Sequence, residues 1–242
     1  MIEVSGLTVT FGAVRSLESV TLRFPLGVCG LIGPNGAGKT TFLNVVSGFV
    51  RPQHGRIEAF GRNLLAMRGY QRARWGVRRT FQTEQGIENL TVRENVQVVQ
   101  EQARPAKRGQ RASEINQALM FTGLEKHSGV LLGELSAGAR RRVELARAIV
   151  GTPKLLLLDE PAAGLPEDET QQLGEMIRRI PDTYGALTIL VDHDLDLLAA
   201  CCTETAVLDF GSLIAVGKTD EVLRDPRVLN AYLGEEDTGD DA

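Results

Sequence analysis

Residues 33–40 read Gly-Pro-Asn-Gly-Ala-Gly-Lys-Thr and fit the pattern GxxxxGK[ST] at every required position. An apolar run at residues 28–32 predicts a buried strand before them, and residues 41–46 predict a helix after them. Backbone N–H groups of such a loop curl around phosphate oxygens, and the dipole of the following helix favours the same negative charge. Lys39 can reach the β- and γ-phosphates, and the Thr40 hydroxyl can ligate Mg²⁺. The segment therefore predicts a binding site for a nucleoside triphosphate.

Acidic residues and a histidine follow two later apolar runs. Asp159 and Glu160 come directly after the leucines at 155–158, and His193 stands just past the apolar residues 187–191. Ligands of open α/β sheets bind beyond the carboxyl ends of the strands, so we expect these side chains to face the phosphates. Asp159 suits a contact to Mg²⁺ or its water shell, and Glu160 suits polarising the water that attacks the γ-phosphate. His193 is expected to contact the γ-phosphate or that water.

A second informative segment lies at residues 135–139, which read Leu-Ser-Ala-Gly-Ala, and taken alone it favours a capped amphipathic helix over a phosphate site. Ser136 is a good N-cap, Gly138 permits close approach of the backbone, and apolar residues recur after it at helical spacing. These features predict a helix with one buried stripe and an N-terminus open to negative charge. The arginines at 140–142 form either the solvated face of this helix or a contact to an acidic partner, and the sequence does not choose between the two.

Composition excludes several classes of protein. The 242 residues carry a net charge of −4, whereas general nucleic-acid binders have a large basic excess. No apolar run approaches the roughly 18 residues of a membrane helix, and the N-terminal residues lack the pattern of a signal peptide. Cys29, Cys201 and Cys202 have no metal-like spacing and are expected to be reduced core thiols of a cytoplasmic protein. Residues 235–242 are expected to form a solvated acidic tail.

The elements that must position the candidate residues are those of an α/β protein. Alternating apolar and polar residues over the first thirty positions predict half-buried antiparallel strands. Continuously apolar runs predict a parallel sheet buried on both faces, with a helix at about 167–180 between two of its strands. Helix-forming residues dominate from about 86 to 150 and predict a helical insert. Residues 207–216 predict a hairpin that turns at Gly211 and Ser212. We expect the whole chain to form a single nucleotide-binding domain.

Together these motifs resemble the ATP-binding subunit of ABC transporters, and the likeness covers nearly the whole chain. Residues 33–40 match the Walker A loop of that family, residues 155–159 match its Walker B strand, and residues 135–139 match its signature, normally LSGGQ. The resemblance implies an α/β fold with a RecA-like P-loop NTPase core and a parallel sheet. It also implies an N-terminal antiparallel β subdomain and an inserted helical subdomain.

The resemblance further implies a role for each residue of the site. Glu160 and His193 would be catalytic, as the catalytic glutamate and the switch histidine. Mg²⁺ would be held by Thr40, by Gln82 of the Q-loop and by Asp159. ATP would be bound by an aromatic residue that stacks on adenine, by the Walker A loop, by the Q-loop and by the signature: Phe11, Gly33, Pro34, Asn35, Gly36, Ala37, Gly38, Lys39, Thr40, Thr41, Gln82, Ser136 and Gly138.

Finer details resemble the subgroup that serves importers of branched-chain amino acids, although related importers and a lipopolysaccharide exporter subunit share much of them. These details are the sequences at residues 79–82, 160–165 and 231–235. The resemblance implies an ATPase coupled to transport, working as a head-to-tail dimer with a second copy or a paralogue. It also implies integral membrane permease subunits that dock around residues 82–91, an extracytoplasmic substrate-binding protein, and a cytoplasmic position on the inner face of the cell membrane. No nucleic-acid partner is expected.

Three residues depart from the family pattern. Ala137 and Ala139 stand in the signature where glycine and glutamine are usual, and Pro166 replaces the Asp or Asn usually found after the Walker B strand. The backbone N–H of Ala137 is still available to a phosphate, whereas the side-chain contact of glutamine is lost. Pro166 removes a polar side chain and a backbone donor, so we expect communication between the two sites of a dimer to be altered.

Two other functions stay open at this point. One is a soluble ABC-type ATPase that acts on ribosomes or DNA ends, although such proteins commonly carry two ATPase units or a long coiled-coil insert. The other is an ATP-binding regulatory protein with little turnover, which the altered signature suggests. The presence of Glu160 and His193 argues against the second alternative.

Overall fold

The computed structural model describes residues 1–102 and 108–233, so the predicted acidic tail lies outside the described residues. The strands are β1 (Ile2–Phe11), β2 (Val14–Phe24), β3 (Val28–Ile32), β4 (His54–Ala59), β5 (Arg62–Asn63), β6 (Val77–Arg79), β7 (Leu155–Asp159), β8 (Leu187–Val191), β9 (Glu204–Asp209) and β10 (Ser212–Lys218). The helices are α1 (Lys39–Ser47), α2 (Gly69–Trp75), α3 (Val92–Gln102), α4 (Arg108–Phe121), α5 (Ala137–Ile149), α6 (Glu167–Tyr184), α7 (Leu195–Cys201), α8 (Thr219–Val222) and α9 (Pro226–Leu233).

The larger sheet lies at the centre of the fold and has the strand order β10-β9-β3-β8-β7-β6. All its strands run parallel except the edge strand β10, which pairs with β9 in antiparallel fashion. Every residue of β3, β7 and β8 is buried, which explains why their sequences are almost continuously apolar rather than alternating. The predicted α/β core with a parallel sheet is confirmed.

The N-terminal part of the chain forms a smaller sheet, which is antiparallel and has the order β2-β1-β4-β5. Ile2, Val4, Leu7 and Val9 of β1 are buried and lie between more exposed neighbours. They share one hydrophobic core with α1 and with one face of the larger sheet. Removal of this apolar surface from water is the main force that holds the two sheets on either side of α1. The predicted antiparallel subdomain is confirmed.

Helices on the opposite face of the larger sheet share a second hydrophobic core. Its fully buried members include Val96 of α3, Leu119 of α4, Val143 of α5 and Ile177 of α6. Helices α3, α4 and α5 come from the predicted insert at about 86–150 and pack on one another. Helices this short are marginal in water by themselves, so their stability comes from this shared apolar face. The inserted helical subdomain is thus also confirmed.

The hairpin after β9 differs from the prediction by one residue. Strand β9 ends at Asp209 and β10 begins at Ser212, so the turn consists of Phe210 and Gly211 rather than Gly211 and Ser212. Both turn residues have positive φ, +41° and +79°. Two-residue hairpins favour such turns because their twist matches that of the strands, and glycine at the second position relieves the steric cost.

Helix α6 is longer than the predicted 167–180. It continues through Pro181 to Tyr184, although proline removes one intrahelical hydrogen bond. The helix ends at Gly185, which has a φ of +65° and donates its N–H to the carbonyl of Pro181. The extra turn carries the Tyr184 ring into an edge-on contact with Phe121, whose centroid is 5.3 Å away. Tertiary packing therefore outweighs the local penalty of the proline.

The three cysteines are buried free thiols, as predicted. Burial raises the pKa of Cys29 to about 12 and that of Cys201 to about 11, so both are protonated and unreactive near neutral pH. Among the described helices, none has the length and apolar character that crossing a membrane requires.

Candidate active site

The phosphate-binding loop connects the end of β3 to the start of α1. Gly33 opens the loop with a φ of +146°, and a Cβ atom there would lie 2.0 Å from the carbonyl oxygen of Leu208. Gly36 has a φ of +77° but faces open space. Gly38 precedes α1 with a φ of +104°. A Cβ atom at Gly38 would lie 2.5 Å from the carbonyl oxygen of Ser16. Glycine is therefore required at Gly33 and Gly38 for both space and backbone conformation, and at Gly36 for its conformation alone.

The ammonium group of Lys39 lies within this loop. Lys39 is buried, and its Nζ donates to the carbonyl oxygens of Gly33 and Pro34 at 2.5 and 2.8 Å. Such charge-assisted bonds are strong, and they fix both the lysine and the start of the loop. A phosphate oxygen is an even better acceptor for the same ammonium group, so the lysine is in position to bind one.

A polar cleft opens at the loop, which we call the phosphate cleft. It is lined by Ser16, residues 35–41, Gln82 and Glu160. Ser16 comes from β2, and its hydroxyl is hydrogen-bonded to that of Thr41 at 2.7 Å. Sequence reasoning missed Ser16 because nothing in an alternating strand indicates which polar residue meets a loop 25 positions later.

Asp159 is the last residue of β7 and is 3% exposed. Its Oδ2 accepts a hydrogen bond from Nη2 of Arg79 at 2.9 Å, and the two side chains form a buried ion pair. Its Oδ1 is buried without a hydrogen-bond partner among the described residues. Arg79 also donates from Nη1 to Asn44 at 2.6 Å. Arg79 thus links β6, β7 and α1. The sequence around Arg79 is basic and gave no indication of this role.

Glu160 follows Asp159 and turns out of the sheet. Its φ is +49°, a left-handed conformation that is uncommon for a residue with a side chain, and its N–H donates to the carbonyl of Val191 at 2.8 Å. Its Oε1 accepts a hydrogen bond from Nε2 of Gln82 at 2.9 Å and lies 3.1 Å from Nε2 of His193. Three residues predicted from separate segments therefore meet at one carboxylate oxygen.

The turn after β8 orients His193. The carboxylate of Asp192 accepts the backbone N–H groups of His193 and Asp194 at 2.8 and 3.1 Å. Burial raises the pKa of Asp192 above its ordinary value, while the hydrogen bonds from the backbone partly oppose that shift. The histidine side chain is held at the edge of the sheet and remains about half exposed.

The signature segment lies at the start of α5, and its residues do not line the phosphate cleft. Ser136 caps the helix, and its side chain accepts the N–H of Ala139 at 3.3 Å. Ser136 and Ala137 are exposed, whereas Gly138 is buried against the carboxylate of Glu169. A Cβ atom at Gly138 would lie 2.1 Å from Oε2 of Glu169. The N-terminus of α5 is therefore open to solvent at its first two positions.

Phe11 is also outside the lining of the phosphate cleft. It ends β1 and is 51% exposed. An exposed ring can stack on a base, but the contact to adenine stays a prediction.

The predicted magnesium ligands have suitable donor chemistry. Thr40 and Gln82 line the phosphate cleft, whereas Asp159 is not in its lining, and the Oδ1 of Asp159 is buried without a hydrogen-bond partner among the described residues. All three side chains offer oxygen ligands, which Mg²⁺ prefers. Within the described ranges, no group of three or more His, Cys, Asp or Glu side chains could hold a metal ion by itself.

A parallel sheet with a phosphate-binding loop after one strand and an acidic pair after a nearby strand defines a P-loop nucleoside triphosphatase. The model of the ABC transporter family matches residues 17–163, and that of a branched-chain amino acid ATP-binding cassette transporter family matches residues 212–238. The chain therefore belongs to the ABC transporter family, as one of its ATP-binding subunits, and its activity is ATP hydrolysis.

Several known proteins are similar to this chain over nearly their whole length. The high-affinity branched-chain amino acid transport ATP-binding protein LivG of Salmonella typhimurium is 36% identical, with 97% of this chain and 98% of LivG covered. BraF of Pseudomonas aeruginosa, which has the same description, is 34% identical with the same coverage. The ADP conformation of MJ1267, an ATP-binding cassette of an ABC transporter, superposes with a TM-score of 0.87 at 26% identity, covering 97% and 98% of the two chains.

Proposed function

We propose that this chain powers an importer of branched-chain or related amino acids by hydrolysing MgATP. The observation that carries the hydrolytic part is the convergence of Gln82 and His193 on Oε1 of Glu160 at the phosphate cleft. The similarity to LivG and BraF, together with the match of residues 212–238 to the branched-chain family, supports the choice of substrate class.

In the proposed reaction each residue has a separate task. The loop N–H groups and Lys39 bind the phosphates, while Thr40, Gln82 and Asp159 would hold Mg²⁺. Bound Mg²⁺ would supply positive charge to balance the charge that develops on the phosphates during transfer. Glu160 orients and polarises the attacking water as a general base, and His193 contacts the water or the γ-phosphate.

A second ATP-binding subunit completes the proposed site. Ser136 and Ala137 are exposed at the N-terminus of α5 and do not line the phosphate cleft of their own chain. A helix N-terminus attracts phosphate, so we infer that it contacts the γ-phosphate bound by a partner subunit in a head-to-tail dimer. ATP then closes the dimer and hydrolysis opens it, which transmits work to the membrane.

Integral membrane permease subunits are the proposed recipients of that work. An apolar groove is lined by Phe49, Tyr70 and Phe81, among others. Phe81 directly precedes the expected docking region at residues 82–91 in the sequence. Phe49 and Tyr70 are more than half exposed, and the rings of Phe49 and Phe81 are in edge-on contact at 6.0 Å. Exposed aromatic residues of this kind anchor protein interfaces. Docking there would hold the chain on the inner face of the cell membrane.

Reconstitution tests this proposal. The chain would be purified together with permease subunits from the same organism and placed in proteoliposomes with an extracytoplasmic binding protein. We expect ATP-dependent uptake of labelled leucine, isoleucine or valine, and loss of uptake with Glu160→Gln. Tyr70→Ala should weaken permease binding and leave basal ATP hydrolysis unchanged. An active ATPase that associates with no permease, and instead binds RNA or DNA in a salt-sensitive way, would reject the transporter assignment.

A further inference from the structure

The C-terminal helix α9 contacts the phosphate-binding loop through a hydrogen bond to Tyr232. The backbone N–H of Gly33 donates to the hydroxyl oxygen of Tyr232 at 2.9 Å, across 199 positions of sequence. The Tyr232 ring is half-buried and packs against the hydrophobic core that α5, α6 and α7 share. The hydroxyl is therefore held in place by its own ring, which a surface side chain could not achieve.

Gly33 is fixed on three sides. Its N–H meets Tyr232, its carbonyl oxygen accepts the ammonium group of Lys39 at 2.5 Å, and its Cα lies against the carbonyl oxygen of Leu208. Gly33 is buried, so water cannot readily replace the tyrosine hydroxyl as acceptor of its N–H. Tyr232 and Lys39 thus hold the two peptide groups of the residue with which the loop begins.

We propose that Tyr232 is a positioning residue for ATP binding, which sets the first peptide of the phosphate-binding loop in its binding conformation. If the hydroxyl is removed, the loop samples other conformations. ATP then binds only the fraction of molecules in the correct one, which weakens the apparent affinity by that fraction. Tyr232 acts through Gly33 and Lys39 and does not itself touch the reacting atoms.

The proposal assigns the C-terminal segment a role in shaping the phosphate-binding loop of its own chain. The branched-chain family model matches residues 212–238 and so includes Tyr232. The segment also contains β10, which pairs with β9, and β9 carries Leu208 against Gly33. The proposal rests on ATP binding alone and holds whatever substrate is transported.

Tyr232→Phe tests the proposal because it removes the hydroxyl and keeps the ring. We expect the Kd for ATP to rise about three- to tenfold, the loss typical of one hydrogen bond, with kcat at saturating ATP nearly unchanged. Tyr184→Phe is the matched control. The Tyr184 hydroxyl is buried with no hydrogen-bond partner in the described part of the chain, and its ring contacts Phe121. This control should bind ATP like the unmodified protein.

The hydrogen-exchange rate of the Gly33 amide provides a second measurement, which loss of ring packing at Tyr232 would not explain because Tyr232→Phe keeps the ring. In the unmodified protein without nucleotide, the amide of Gly33 should be strongly protected, and Tyr232→Phe should speed its exchange. An unchanged Kd in Tyr232→Phe, even with a lowered melting temperature, would show a purely structural contact and overturn the proposal. Rapid exchange of the Gly33 amide in the unmodified protein would overturn it as well, without need of any variant.

Discussion

Nε2 of His193 lies 3.1 Å from Oε1 of Glu160, the same oxygen that accepts a hydrogen bond from Gln82. The two residues follow the adjacent parallel strands β8 and β7, whose carboxyl ends meet at one edge of the sheet. A general base needs a carboxylate oxygen within hydrogen-bond reach of the attacking water. Gln82, Glu160 and His193 therefore form one hydrogen-bonded unit at the edge of the sheet.

The first prediction concerns Glu160→Gln. The amide keeps the size of the side chain but cannot accept a proton, so hydrolysis should slow by about 10²–10⁴ while ATP binding persists. Phosphate release at saturating ATP measures the first effect, and gel filtration should show an ATP-trapped dimer. Lys39→Ala, which should abolish tight ATP binding, is the control that forms no such dimer. Full hydrolysis by Glu160→Gln would contradict the role given to this residue.

A second prediction concerns the buried ion pair between Arg79 and Asp159, whose side chains are 6% and 3% exposed. Arg79→Ala would leave the carboxylate buried without its partner, which costs about 3–5 kcal/mol of unfolding free energy. Urea unfolding measures this loss, and Arg74→Ala on the exposed face of α2 is the control, with an effect near zero. Adding Asp159→Asn to Arg79→Ala should restore part of the stability. Equal stability of Arg79→Ala and the control would show that the pair is not coupled to folding.

The third prediction compares two glycines of the phosphate-binding loop. Alanine at Gly36 meets no atom within 4 Å and incurs only the strain of a left-handed backbone, about 1–2 kcal/mol. Alanine at Gly33, where φ is +146°, is strained as well and also clashes with the carbonyl oxygen of Leu208, which belongs to the backbone and cannot swing aside. Gly33→Ala should therefore lower the melting temperature clearly more than Gly36→Ala. The reverse order would mean that Gly33 is not confined by β9.

The features that could be predicted from the sequence are those that a local pattern of residues encodes. Strands β3 and β8 begin and end at the predicted residues 28–32 and 187–191, because burial on both faces makes a strand continuously apolar. Ser136 caps α5 as predicted, since capping depends on neighbouring residues only.

Contacts between distant segments could not be predicted in the same way. Ser16 meets Thr41 across 25 positions, Arg79 meets Asp159 across 80, and Tyr232 meets Gly33 across 199. Each partner is an ordinary polar residue in its own segment, and only the folded topology gives it a role. The prediction that α6 ends near residue 180 was wrong for the same reason, because the contact that favours its extension past Pro181 comes from another helix.

The last prediction concerns pH and Asp192, which is 6% exposed and whose pKa is raised by burial. An acid with a higher pKa in the folded state binds more protons when folded than when unfolded. Stability is therefore greatest below the ordinary aspartate pKa of about 3.9, and it falls as the pH rises from there through the raised pKa. Asp192→Asn keeps an oxygen for the N–H groups of His193 and Asp194 but carries no charge. It should thus raise the melting temperature at pH 7, with a gain that shrinks toward pH 4.

Thermal unfolding of both proteins between pH 4 and pH 7.5 measures this difference. Asp182→Asn, on the exposed side of α6, is the control for the loss of one carboxylate. Its melting temperature should differ from that of the unmodified protein by an amount that does not grow between pH 4 and pH 7. A gain from Asp192→Asn that stays constant over the whole pH range would show that Asp192 does not bind a proton in the folded protein more readily than in the unfolded one. The stability of the turn that presents His193 would then depend on its hydrogen bonds alone, with no contribution from burial of the charge.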